Sequence, residues 1–319
     1  MNKHAYLILA HNNWDTLEKL ILLIDDYRND IYLHVDKKVK SFDRSRLINL
    51  PKESNIYVYS QNKVYWGGYS LTECEMLLMK KAIKKEYSYL HILSGADLPI
   101  QSQDDIHDFF QKNDHCEFIQ YKSYDYVKNT PEISRRVSVY HFLQNYRKRF
   151  RFGVFNDCFT ALERFLILLQ VALRVNRWDQ NTELKYGSNW VSITKELAQY
   201  LVNQEDLIKK LFQKTNCSDE LFIQTIAFNS YFRDRIYQAK GEGDMTANLR
   251  LIDWERGSSK GNPYVWHVED YERIMQSYCM FARKFDSSID SEIIDKIYER
   301  ISESNRRNRS KVRYDKEVI

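Results

Sequence analysis

Cys217-Ser218-Asp219-Glu220, followed by the apolar run Leu221-Phe222-Ile223-Gln224-Thr225-Ile226, is where this chain is best equipped for chemistry. Ser218 is a candidate helix N-cap, which would put Asp219 and Glu220 in a first turn where the helix dipole favours negative charge. A carboxylate held there can be ionised, fixed in direction and half-shielded from water, as a general base requires. First-turn acids also serve as plain caps, so the local sequence leaves both roles open. Two further carboxylates, Asp36 and Asp97, follow apolar runs, and Arg283-Lys284 stands between Phe281 and Phe285. Cations shielded by apolar neighbours stabilise an anionic leaving group more strongly than cations in water, although a solvated charge pair is the alternative.

These side chains need a frame. Residues 5–10, 31–35, 56–59 and 89–93 are short apolar runs that read as strands. Between them, residues 17–27 (with Asn13 or Asp15 as cap) and 71–86 carry helical spacing. Strand–helix–strand alternation with short connections predicts an α/β fold with a mostly parallel central sheet flanked by helices. Ligands in such sheets bind beyond the carboxyl ends of the strands, where Asp36 and Asp97 lie. Residues 190–194 read as another strand, 195–212 and 220–228 as helices, and 236–239 as extended chain. Residues 159–175 are apolar nearly all round but are interrupted by Arg164 and Gln170, and they are too short to span a bilayer. A buried core helix is the expectation there, with a membrane-surface helix the alternative. The sequence divides into one domain over residues 1–300 and a basic, flexible tail over 301–319, solvated and partly disordered.

Composition narrows the classes. At 319 residues, 43% hydrophobic and 29% charged, with only 9 Gly and 4 Pro, the chain is globular and not a repeat or linker protein. A formal charge of +4 is too mild to announce nucleic acid, and no nucleic-acid motif accompanies the cluster Arg147, Lys148, Arg149, Arg151. The 23 tyrosines suit sugar or base contacts as well as ordinary packing. Cys74, Cys116, Cys158, Cys217 and Cys279 are odd in number and lack metal-ligand spacing, which suggests a reducing compartment. The N-terminal run, broken by His11, Asn12 and Asn13, is too short and polar for a signal peptide. No Gly-rich phosphate loop appears, and no Asp-X-Asp element follows a strand: Asp36 precedes Lys37-Lys38, and Asp97 precedes Leu98-Pro99. The nearest approximation, Asp290-Ser291-Glu292, lies late in a polar region.

Six segments occur in a fixed order: Leu33-His34-Val35-Asp36-Lys37-Lys38; Val64-Tyr65-Trp66-Gly67-Gly68-Tyr69-Ser70; Leu93-Ser94-Gly95-Ala96-Asp97-Leu98-Pro99-Ile100; Tyr186-Gly187-Ser188-Asn189-Trp190; the acid pair; and Met280-Phe281-Ala282-Arg283-Lys284-Phe285-Asp286. The series resembles glycosyltransferase family 14, the core-2/I-branching N-acetylglucosaminyltransferases and peptide O-xylosyltransferases, over about residues 5–286. The resemblance implies a single GT-A-type nucleotide-sugar-binding domain. It implies inverting, metal-independent transfer of N-acetylglucosamine or xylose from a UDP-sugar to a hydroxyl of a glycan, lipid-linked or glycoprotein acceptor. The UDP-sugar is then a substrate, and neither cofactor nor metal is expected. By that resemblance Glu220 is the catalytic base, Lys284 contacts the diphosphate, and Trp254 packs on the acceptor sugar, with core burial of Trp254 the alternative. Arg283, Arg256 or Lys260 would supply a second cation, and Asp36 approaches the nucleotide or merely caps its strand. Asp97 belongs on the donor side, and Trp66, Gly187, Ser188 and Asp219 belong to the pocket without fixed roles.

Animal members carry an N-terminal anchor and stem that this sequence lacks, so the expectation is a cytoplasmic, bacterial enzyme. Arg306, Arg307, Arg309, Lys311 and Arg313 would then offer peripheral contact with the inner membrane face, or only solubility. A carbohydrate- or nucleotide-binding module without catalysis is the rival reading.

Overall fold

A computed structural model describes residues 3–40, 43–144, 153–179, 181–238, 245–258 and 261–317. The first half alternates as its apolar runs predict: β1 (His4–Ala10), α1 (Trp14–Leu23), β2 (Asn29–Val35), a short α2 (Arg44–Ile48), β3 (Asn55–Tyr59), α3 (Ser70–Ala82) and β4 (Tyr89–Ser94). β5 (Asp97–Pro99), α4 (Gln103–Lys112), α5 (Tyr124–Lys128), α6 (Pro131–Ser138) and the long α7 (Gly153–Ala172) follow. The remainder is β6 (Ser192–Thr194), α8 (Lys195–Asn203), α9 (Glu205–Phe212), α10 (Phe222–Phe228), β7 (Arg250–Ile252), α11 (Tyr271–Met275), β8 (Phe281–Arg283) and α12 (Ser291–Glu317).

The main sheet has the order β3-β2-β1-β4-β6, with β1 to β4 parallel and β6 antiparallel to β4. A smaller sheet, β5-β8-β7, lies beyond the end of β4. Strand residues alternate between two apolar cores, as the pleat requires. Tyr6, Ile8 and Ala10 enter the core that contains Leu17, Leu20, Phe281, Phe285 and Ile297. Ala5, Leu7 and Leu9 enter the other, with Met79, Trp190, Leu197, Leu221 and Phe222.

Several sequence readings shift. Residues 195–212 form two helices, because the backbone turns at Gln204 (φ −93°, ψ 15°), the C-cap of α8. Asn13 precedes α1 in a left-handed conformation and does not cap it; its Nδ2 donates to Phe285 O instead. Residue 301 is no structural break. α12 runs through it, Ile301 is buried, and Asn305 Oδ1 accepts the Gln103 backbone N–H, so the chain expected to be a disordered tail begins as packed helix. Residues 159–175 are the largest departure from expectation: Leu162, Phe165, Leu168 and Leu169 of α7 are exposed, not buried in a core. The cluster at 147–151, Lys260 and residue 239 lie outside the described residues.

Candidate active site

Cys217 takes a left-handed conformation (φ 50°, ψ 55°) and starts a single 3-10 turn, Ser218–Glu220. This turn overturns the capping role expected of Ser218. Its hydroxyl lies 2.8 Å from Thr72 Oγ1, and α10 begins only at Phe222, so both acids precede the helix. The positive field at Glu220 comes from a side chain instead: Arg136 on α6 donates to Glu220 Oε2 at 2.5 Å. Glu220 remains about a third exposed, 32% of its side chain, which leaves it accessible to a substrate hydroxyl.

The backbone around this carboxylate is clamped. Gly187 N–H donates to Glu220 O at 2.9 Å, and Cys217 N–H donates to Gly67 O at 2.9 Å. The second bond brings the turn carrying Trp66, which is 61% exposed, against the chain entering the 3-10 turn. Ser188 N–H donates to Gln120 Oε1, Ser188 Oγ accepts from Trp190 N–H, and Ser188 O accepts from Gln224.

Asp219 is buried behind Glu220, and its Oδ1 has no hydrogen-bond partner. Burial, then the Glu220 charge, push its pKa up to about 7. Glu75 on α3 is wholly buried, and desolvation followed by repulsion from Asp219 drives its pKa well up. Two buried acids held toward their protonated forms thus back an exposed one.

The other half of the site gathers at the carboxyl ends of β1, β2, β4 and β8. Asp97 is buried; its Oδ2 accepts Ser94 N–H at 2.8 Å, and its Oδ1 accepts both Ser94 Oγ–H and Arg283 Nη1, each at 2.8 Å. Arg283, expected to face a ligand as a free cation, is therefore neutralised by Asp97, because β5 and β8 pair Asp97 with Arg283. Lys284 has no ion-pair partner among the described residues. Its carbonyl accepts Trp266 N–H, and Arg283 O accepts Trp266 Nε1–H, so a fully buried indole fixes the backbone of both cations. Asp36 Oδ1 accepts Lys38 N–H (2.9 Å) and Val64 N–H (3.3 Å), a strand-end cap. Burial lowers the His11 pKa, with Asp36 pulling it up and Lys38, Lys284 and Arg283 lowering it further, which places these charges around one imidazole. The Arg283 guanidinium lies 4.5 Å from the Trp190 ring centroid, so Trp190 separates this basic corner from the Gly187–Ser188 backbone that clamps Glu220.

A family model described as Core-2/I-Branching enzyme matches residues 4–276. The chain belongs to the Core-2/I-branching enzyme family. The matched span holds Asp36, Trp66, Asp97, Gly187, Ser188, Asp219, Glu220 and Trp254, and it stops short of Arg283-Lys284. Among relatives of this branching-enzyme chain, xylosyltransferase sqv-6 of Caenorhabditis briggsae is 26% identical over 291 residues, covering 83% of this chain and 32% of that protein. Human xylosyltransferase 1 is 22% identical, covering 92% of this chain and 30% of its own length. The human beta-1,3-galactosyl-O-glycosyl-glycoprotein beta-1,6-N-acetylglucosaminyltransferase is 24% identical, covering 90% and 66%. The chain thus spans about a third of the xylosyltransferases it matches. A solved structure of mouse xyloside xylosyltransferase 1, apo form, aligns with a TM-score of 0.37 at 9% identity, over 88% of this chain and 97% of that one.

Within the branching-enzyme chain the sequence readings of the site sort into two corners joined at Trp190. Glu220, Asp219, Gly187, Ser188 and Trp66 form one; Asp36, Asp97, Arg283 and Lys284 form the other. Trp254 is not a core residue: it is 44% exposed, on the loop after β7. Arg256 is committed elsewhere, to Asp253 at 2.7 Å and Asp270 at 2.8 Å. Asp290 of the Asp-X-acid stretch caps α12 by accepting Ile293 N–H, and its Oδ2 accepts Val268 N–H. With His267 and Glu269 it forms the one group of acid and imidazole atoms, among the described residues, close enough together to hold a cation.

Sequence reading missed Arg136, Glu75 and Trp190 as site residues. Arg136 sits in the Arg135-Arg136 pair, which composition reads as solvated surface. Glu75 did carry a signal. It occupies the buried stripe Thr72, Glu75, Met76, Met79 of α3, where an acid is out of place unless something requires it.

Proposed function

We propose that the chain transfers a sugar from a UDP-sugar to a hydroxyl of a glycan or glycoprotein acceptor, with inversion at the anomeric carbon and without a metal. N-acetylglucosamine and xylose are the favoured sugars, in keeping with the names its relatives bear. One observation carries the reading: Glu220 is an accessible carboxylate clamped by the Gly187 backbone, and Lys284, without an ion-pair partner among the described residues, follows the Arg283 that lies over Trp190, three residues from Gly187. Glu220 takes the proton from the acceptor hydroxyl as its oxygen bonds to the anomeric carbon. The bond to the diphosphate breaks in the same displacement, and UDP departs with the electron pair unprotonated. Lys284, which follows β8 and has no ion-pair partner among the described residues, stabilises that charge. One carboxylate suffices, since the leaving group needs no proton, whereas a hydrolase would place two.

The experiment pairs Glu220→Gln with a panel of nucleotide sugars. A donor bound only by the folded state at 100 times its Kd raises stability by about 2.7 kcal/mol, readable as a shift in Tm. The variant retains fold and donor binding, since the amide is nearly isosteric and its oxygen still accepts from Arg136. Its transfer falls by about 10²- to 10⁴-fold. Turnover above about a tenth of wild type, with binding intact, removes Glu220 from the role. A binding module without catalysis is the second reading, favoured by the occupation of Glu220 Oε2 by Arg136. It requires donor binding with no UDP release from the wild type.

A further inference from the structure

α7 is amphipathic with its faces reversed. Its polar stripe turns inward: Glu163, buried, lies 3.3 Å from His141 Nδ1 and accepts Leu143 N–H. Gln170 bonds both backbone groups of Tyr140. Its apolar side turns outward, with Phe165 60% and Leu168 67% exposed beside Leu162, Leu169 and Val171, and Leu173 just past its end is exposed as well. Among the described residues nothing covers this side of the 20-residue helix, a contiguous apolar exposure rather than a scattered one.

Charge says what covers it. Between residues 147 and 174 the sequence places Arg147, Lys148, Arg149, Arg151, Arg164 and Arg174 against only Asp157 and Glu163. That surplus equals the formal net charge of the whole chain, +4. An anionic bilayer offers apolar depth and opposite charge together. No helix among the described residues is long and apolar enough to cross a membrane, so α7 lies on the surface and does not span.

We infer that α7 is an interfacial membrane helix that seats its Leu162, Phe165, Leu168 and Leu169 side in an anionic phospholipid surface. The contact stands independently of the transfer reaction. It nevertheless has a bearing on it. The chain that grips α7 at Tyr140 and His141 continues directly from α6, which carries Arg136 to Glu220. The segment that holds α7 is thus continuous with the helix that carries the Glu220 partner.

The test is co-sedimentation of the full chain with vesicles of phosphatidylcholine alone or with about a third phosphatidylglycerol. Expected is binding to the anionic vesicles that weakens with salt. Replacing Leu162, Phe165, Leu168 and Leu169 together by Gln should cut it at least about tenfold. Replacing Arg306, Arg307, Arg309, Lys311 and Arg313 by Gln should leave most of it. Three results overturn the inference: no binding to anionic vesicles, equal binding by the four-Gln variant, or a dimer in vesicle-free buffer that the same variant abolishes. A separate variant, Leu168→Trp, guards against misfolding of the first. Its emission should shift to the blue and be quenched by lipid-borne quenchers on anionic vesicles, and an unchanged spectrum refutes the placement.

Discussion

Gly187→Ala tests the clamp around Glu220 without touching an ionisable group. A Cβ on Gly187 would stand 2.0 Å from Gln120 O, 2.9 Å from Gln120 C and 3.0 Å from Tyr121 Cα, and Cβ atoms essentially never come closer than 3.0 Å to another heavy atom. All three are backbone atoms, so no side chain can swing aside, and the two chain segments must part by about 1 Å. Overpacking of this kind costs about 1–3 kcal/mol, and stretching the Gly187 N–H to Glu220 O bond adds about 1 kcal/mol. A total of about 2–4 kcal/mol should appear as a lower urea midpoint at unchanged slope. In the same variant Glu220 moves with its carbonyl, and a misplacement near 1 Å costs about 100-fold in rate. Gly261→Ala is the control: its φ of +77° makes an alanine strained by about 1 kcal/mol, but nothing lies within 4 Å of the new Cβ. That variant loses stability and keeps wild-type UDP release. Gly187→Ala with wild-type midpoint and turnover refutes the clamp.

Lys284→Ala is expected to raise the KM for the donor far more than for the acceptor, and equal rises on both contradict its assignment to the diphosphate. Transfer is expected to survive a chelator; loss restored by Mn²⁺ refutes the metal-free mechanism. Asp219→Asn carries a pH signature. The folded-state pKa near 7 lies above the ordinary 3.8, so the native state holds a proton that the unfolded chain has released between those values. The wild type loses stability as pH rises through that window, and the amide does not. The variant's advantage in denaturation should therefore grow by up to about 1.4 kcal/mol per pH unit from pH 4 to 7, and a flat difference sinks the burial argument. His4 and His91 act in the opposite sense. Burial first, then neighbouring imidazoles and arginines, hold them well below their ordinary range, so they oppose folding as pH falls below about 6.5. His91→Gln should flatten the acid limb of the stability profile, and an unchanged limb argues against it.

The central sheet was legible because parallel strands covered on both faces are continuous apolar runs, and β1 to β4 appear within two residues of their expected starts. β5, β7 and β8 were not. Three-residue strands such as Asp97-Leu98-Pro99 are too short to show a period, and it is this small sheet that pairs Asp97 with Arg283. Composition misled at α7, since an apolar count does not say which side faces inward; the stripe of Asn156, Thr160, Glu163 and Gln170 did contain that information. Glu220 was found from its neighbours in sequence. Arg136 reaches it from 84 residues away, a separation that no local pattern encodes.

The two corners of the site are rooted in different hydrophobic cores. Phe281, Phe285 and Trp266, which hold the Arg283–Lys284 backbone, pack on one face of the sheet; Trp190, Leu221 and Phe222, which flank the Glu220 clamp, pack on the other. The two cores meet only across the shared strands and at Trp190, under the Arg283 guanidinium, so a substitution deep in one core reaches the opposite corner by those routes. On the proposed reaction, a change of acceptor would fall to the core behind Glu220 and a change of donor to the core behind Lys284.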